Sequence, residues 1–189
     1  GLWRNHWDTG AGIIPDMGAH YFDFAQWAHD SELSGPIEYE GRGVWPDDGF
    51  ANVPFEIDVE ARYEDGVRLL MKMGDKGVRF DGEAGWIHLS DEGVIKAAPR
   101  AVLEGLAVPK VSWEFMDEHI ADLIDAMRAR RLTVSNPEIA HRSHTICHCA
   151  NIALRLDRKV RWDPRRENFI DDDDANRMLA RTLRAPWRI

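Results

Sequence analysis

Several things are missing from this 189-residue chain, and each absence narrows its function. No run of about 18 apolar residues occurs, so nothing in the sequence is built to span a membrane. No Gly-x-Gly-x-x-Gly follows a strand, so no dinucleotide cradle is legible. Repeats and low-complexity linkers are absent too. There are only two cysteines, Cys147 and Cys149. Two positions apart on a helix they point about 200° from each other, so they should stay unpaired, with no dependence on an oxidising compartment. Positive charge is also scarce: the formal net charge is −9, which argues against a nucleic-acid surface. The exception is the tail, where residues 155–189 hold ten Lys/Arg against seven Asp/Glu. No signal peptide is visible, and the default compartment is the cytoplasm. The chain starts at Gly1 without a methionine, which leaves export open.

What is present suits one domain over 1–189 with a proper core: 44% of residues are hydrophobic and 30% charged. Eight tryptophans are many for this length; most should be core, though flat aromatic faces also suit sugars. Ile37–Val44 reads as a strand, followed by a polar loop, Trp45–Gly49, long enough to cover a site. From Val53 to Tyr63, apolar residues alternate with Glu56, Asp58, Glu60 and Arg62, the pattern of a strand buried on one face. Asp65-Gly66 is a hairpin turn returning through Val67–Met73. Val78–Phe80, Trp86–Leu89 and Val94–Ala97 extend the meander. Residues 97–112 read as loop or a short helical turn.

The helices come next. The spacing predicts an amphipathic helix over Trp113–Arg130, with Phe115, His119, Leu123, Ala126 and Met127 near one stripe. A second starts at Asn136-Pro137 and runs to about Leu156, with Asn136 as cap. Lys159–Trp162 reads as a strand. Asp171–Asp174 open a last helix to about Leu183, where the macrodipole favours acids. The fold class is therefore α+β: a mainly antiparallel sheet with helices packed on one face.

The chemistry gathers in Thr9-Gly10-Ala11-Gly12-Ile13-Ile14-Pro15-Asp16-Met17-Gly18-Ala19-His20-Tyr21-Phe22-Asp23. This is a glycine-rich approach, a proline, and a helix running to about 29. At about 100° per residue, Asp16, His20, Asp23 and Trp27 share one stripe, with Met17, Tyr21 and Phe24 on a neighbouring apolar one. Packing alone has no use for an acid, an imidazole and a second acid in line. Histidine can take and return a hydroxyl proton, a carboxylate one turn away can orient it, and the glycines let backbone approach a ligand closely.

A second cluster, His141, His144 and His148, falls near one helix face. Zinc uses such spacing, but there is no His-Glu-x-x-His and no second source of ligands, so no metal site is assigned. His141, near the helix start, is expected to face the site, with His144 and His148 structural.

Gly10-x-Gly12-x-x-x-Asp16-x-x-x-His20-x-x-Asp23 resembles the signature opening the C-terminal domain of the glucose–fructose oxidoreductase, inositol dehydrogenase and rhizopine-catabolism (Gfo/Idh/MocA) family. Trp3-Arg4, Trp7-Asp8, Gly77–Trp86, His141-Arg142-Ser143, Asn151-Ile152-Ala153 and Arg184-Ala185-Pro186-Trp187 resemble one bacterial branch of it. The resemblance implies the substrate-binding half of a nicotinamide-dependent dehydrogenase acting on a sugar, polyol or derivative. Asp16 and His20 match the catalytic acid and histidine, with His20 as acid–base; Asp23 matches a position that is usually acidic and structural. On this reading Arg4, Trp7 and His141 border the substrate and Trp3 the cofactor. NAD or NADP would be held mainly by an N-terminal nucleotide-binding domain that this chain lacks, along with the family's Glu-Lys-Pro lysine. The isolated chain would then be inactive, and the exposed sheet face would form a homo-oligomer. Ala11 stands where the family commonly has glycine, a change expected to be tolerated. Two other readings compete: a non-catalytic binding or oligomerisation module, and a metal-dependent hydrolase.

Overall fold

In the computed structural model, residues 2–74, 76–107, 115–181 and 183–187 are described. The chain forms two compact units, residues 1–73 with 141–189, and residues 74–140. The architecture is α+β, with antiparallel sheets and helices, as the alternating segments imply. No helix among the described residues is long and apolar enough to cross a membrane.

The first unit is built on a five-stranded antiparallel sheet of order β3-β2-β1-β7-β8. Its strands are β1 (Glu38–Val44), β2 (Glu56–Arg62), β3 (Arg68–Lys72), β7 (Val160–Asp163) and β8 (Asn168–Phe169). Pairing of Val59 with Gly41 and Met71, and of Ala61 with Tyr39 and Leu69, sets Tyr39, Val59, Ala61 and Met71 on one buried face. A slip of one residue would turn all of them to water, which is why the register is strongly specified. The β2–β3 hairpin closes at Asp65-Gly66, where Tyr63 N–H donates to the Val67 carbonyl at 2.9 Å.

Two helices cover that face. α1 (Ala19–Ala28) contributes Phe22, and α3 (Pro137–Leu156) contributes a buried strip from Ile146 to Leu154 interrupted at His148. Asn136 caps α3, its Oδ1 accepting from the N–H groups of Glu138 at 3.1 Å and Ile139 at 3.3 Å. Ser143 Oγ donates to Asp23 Oδ1 at 2.6 Å and ties the two helices together, a structural role for Asp23. Cys147 and Cys149 are free and buried in this core.

Four local expectations are corrected. α1 buries Phe22, Ala25 and Gln26, while Phe24 and Trp27 are exposed, so the stripe through Met17, Tyr21 and Phe24 is not its core face. Upstream, Ile14–Gly18 is a wide π-type turn, whose extra residue shifts Met17, though not Tyr21 or Phe24, from the uniform α-helical register. β8 was not apparent in the sequence, because two residues are too few to show alternation. The last helix, α4 (Asp173–Arg177), stops short of Leu183; Asp172 caps it by accepting from Ala175 N–H at 3.1 Å.

In the fourth correction, the strands after β3 do not extend the first sheet. In the second unit β4 (Gly77–Gly82), β5 (Gly85–Ser90) and β6 (Ile95–Ala98) form a three-stranded antiparallel sheet of their own. Alternation identifies strands, but the choice of partner edge is not local, and β1 takes β7 instead. A short 3₁₀ turn follows at Arg100–Leu103, then α2 (Phe115–Ala129), whose expected start at Trp113 lies outside the described residues. Of the expected α2 stripe, Ala126 is buried, while Leu123 and Met127 are exposed.

Candidate active site

The tryptophan-rich lead and the glycine segment are folded onto one another in the first unit. Leu2–Asn5 makes one 3₁₀ turn, and His6 carbonyl accepts from the N–H groups of Gly10 at 3.0 Å and Ala11 at 2.9 Å. Gly12 N–H donates to the Arg4 carbonyl at 2.8 Å, and Asn151 Nδ2 on α3 donates to the Ala11 carbonyl at 2.8 Å. A Cβ on Gly10 would stand 2.6 Å from Arg4 Cα, closer than any real side chain sits. The close approach that Gly10 permits is thus to the chain's own backbone. Gly12, at φ +92°, sits where glycine is favoured, and buried Ala11 is itself left-handed at +55°.

This folding brings Asp16, on the wide turn, beside Arg4: Nε lies 3.1 Å from Asp16 Oδ2. The loop after β1 meets the same lead, with Asn52 Oδ1 accepting from Trp7 N–H at 2.6 Å and the Phe50 ring 4.8 Å from His6. Trp7 is held by guanidinium groups, Arg155 at 4.5 Å and Arg181 at 5.4 Å from its ring centroid. Such contacts fix the indole plane.

A cavity of about 700 Å³ opens here. Trp3, Trp7 and Asp16 line it from the lead and the wide turn, and His141, His144 and His148 line it from α3. Glu167 and Arg181 complete the wall from the C-terminal stretch. Among the expected site residues, Trp3, Trp7, Asp16 and His141 therefore share one hollow, and Arg4 joins it through Asp16. His20 does not: it is exposed on α1 and is not among the lining residues. Asp16 thus lines the hollow while His20, four residues on, is exposed and does not.

His144 and His148, expected to be structural, stand on the cavity wall with their ring centroids 6.4 Å apart. Their spacing with His141 was the visible signal; Glu167 and Arg181 had none, since they come from distant sequence. His141 Nε2 lies 2.7 Å from Glu167 Oε1, and Arg142 Nη1 lies 2.9 Å from the same oxygen. His148 keeps ring surface open to the hollow, yet the protein around it desolvates it. That burial, then the charges of His144, Arg181 and His141, push its pKa below the ordinary histidine value. Among the described residues no group of three or more His, Cys, Asp or Glu is arranged to hold a metal ion.

An open antiparallel sheet under two helices, with a cavity walled by tryptophan, histidine and two arginine-paired carboxylates, is an α+β domain with a concave, aromatic-lined hollow. The chain belongs to the oxidoreductase family, as its C-terminal alpha/beta domain, whose family model matches residues 1–189. Solved structures agree in fold. The aldose–aldose oxidoreductase from Caulobacter crescentus, complexed with glycerol, superposes with a TM-score of 0.65 at 16% identity, over 84% of this chain and 50% of that one. The WlbA dehydrogenase from Bordetella pertussis, in complex with NADH and UDP-GlcNAcA, gives 0.62 at 11% identity, over 86% and 49%. An NAD-binding oxidoreductase from Klebsiella pneumoniae gives 0.61 at 14%, over 84% and 53%. The chain thus spans about half the length of these structures. No curated protein matches the sequence.

Proposed function

We propose that the chain is the substrate-binding half of a nicotinamide-dependent oxidoreductase acting on a sugar, a polyol or a derivative. The observation that carries this reading is the cavity of about 700 Å³ in which Asp16, paired with Arg4, stands among Trp3, Trp7 and His141. A carboxylate of fixed orientation accepts hydroxyl hydrogen bonds, and tryptophan supplies flat apolar surface; together they suit a polyhydroxylated molecule.

The nicotinamide would supply the redox chemistry, as NADH-bound neighbours suggest. Both sheets are antiparallel, and no strand-to-helix phosphate cradle occurs among the described residues. On this reading NAD or NADP is held mainly by a separate nucleotide-binding half, with Trp3 bordering it. The residues of this chain position the substrate and move its proton. Asp16 orients the hydroxyl, and Arg4 holds Asp16. Trp7 and His141 bound the rest of the molecule. His20 does not line this cavity, so its role as the acid–base group rests on the match to the family's histidine. The outward face of the sheet is the surface for self-association.

The test is a sugar and polyol screen on the complete protein, followed by nicotinamide absorbance. His20→Ala should lower turnover by about 10²–10⁴, the worth of a positioned acid–base group, with the fold intact. Unchanged turnover overturns the assignment of His20.

A further inference from the structure

We propose that the cavity is built for a sugar or polyol bearing an anionic group, received by the wall of His144, His148 and Arg181. This rests on the reading above and adds the substrate's charge.

The argument is one of charge balance inside the hollow. Two lining acids already have partners: Asp16 faces Arg4 at 3.1 Å, and Glu167 is shared between His141 at 2.7 Å and Arg142 at 2.9 Å. The basic groups of the facing wall are paired more loosely. Among the described residues no carboxylate pairs with His144 or His148, whose rings face each other across 6.4 Å. Arg181 reaches Asp8 only at 3.8 Å, and otherwise donates to the Trp7 carbonyl. Burial, then the charges of His144, Arg181 and His141, oppose protonation of His148, so the wall presents two imidazoles without carboxylate partners beside the Arg181 guanidinium, whose partner Asp8 lies 3.8 Å away. An anion placed there gains charge-assisted hydrogen bonds from the guanidinium and favours the protonated imidazoles, a gain that a neutral hydroxyl does not offer. The two ends of the cavity then have separate tasks, with Asp16 toward hydroxyls and the imidazoles toward the acid.

Isothermal titration of the protein with D-glucose, D-glucuronate and D-glucose 6-phosphate separates the possibilities. Glucuronate or the phosphate should bind about tenfold or more tighter than glucose, the stronger of the two identifying a carboxylate or a phosphoryl group. That preference should collapse in His144→Gln/His148→Gln, with thermal melts confirming the fold. The unsubstituted protein gives a second readout: imidazole nitrogen shifts of His144 and His148 should move on adding the anionic sugar and stay put with glucose. Equal binding of all three sugars overturns the inference and leaves the sugar-binding reading standing. A preference that survives the double substitution, or histidine shifts that do not respond, overturns the assignment to this wall. If none of the three binds, the inference and the reading under it both fall.

Discussion

Gln26 is fully buried and every polar atom of its amide is used. Its Nε2 donates to the carbonyls of Ser31 at 2.8 Å and Ser34 at 2.9 Å, and its Oε1 accepts from Tyr63 hydroxyl at 2.7 Å. It thereby pins the end of α1 to the chain beyond β2. Gln26→Leu fills the space but strands a hydroxyl and two carbonyls, each costing about 1–3 kcal/mol when left unpaired. Tyr63→Phe removes only one partner and should cost about 1 kcal/mol. Urea melts should rank Gln26→Leu well below Tyr63→Phe; equal midpoints would mean the amide network is replaced by water. Nothing local marks this glutamine as interior, since polar residues declare burial only through distant partners. Asp16 and His20 were legible as chemistry-bearing residues for the opposite reason: their types have no packing use. That only Asp16 would line the hollow was not, because the cavity is assembled from segments distant in sequence.

α3 shows what an element imposes on its own residues. Its cap at Asn136-Pro137, its length and its amphipathic character were readable because capping and periodicity are local. Which side met the core and which the cavity depended on the sheet it packs on. The two sides now push proton affinities in opposite directions. Burial drives the Cys147 thiol up to about 12 and Cys149 well up also, while on the cavity side burial and neighbouring charge hold His148 below 6.5. For Cys147, the unfolded thiol ionises from about its ordinary 9.0 and the folded one does not, so this stability is present below pH 9 and lost as pH rises toward 12. For His148, the unfolded ring takes a proton below 6.5 before the folded one can, so stability is lost as pH falls through that value. Melts across pH should show a plateau between these limits and a decline on both sides. Each differing proton contributes a slope of about 1.4 kcal/mol per pH unit. Cys147→Ala should make the alkaline limb shallower, and His148→Gln the acid limb; limbs unchanged by both substitutions would place the titrating groups elsewhere.

For the whole molecule, the face of the sheet turned away from the helices decides how copies could meet. The alternation that buries Val59 and Ala61 on β2 sends Glu56, Asp58, Glu60 and Arg62 outward, and the neighbouring strands add Glu38, Glu40, Arg68 and Lys72. Charges of both signs already pair across the strands, Lys72 with Asp58 at 3.2 Å and Lys159 with Glu38 at 3.4 Å. Apolar surface is sparse there, with Leu70 49% and Val44 48% exposed. The five-stranded sheet was legible strand by strand, yet its order was not, because β7 arrives beside β1 from the far end of the chain. If this face mediates self-association, the contact is held by exchanging ion pairs between copies rather than by apolar burial. Screening then governs it: the Debye length falls from about 10 Å at 0.1 M to about 3 Å at 1 M salt. Sedimentation velocity should therefore show oligomers at low ionic strength that dissociate as salt is raised, and Lys72→Glu should weaken them further at low salt. An oligomer that tightens or holds in 1 M salt would have to be joined by an apolar surface, and the sheet face would not be that surface.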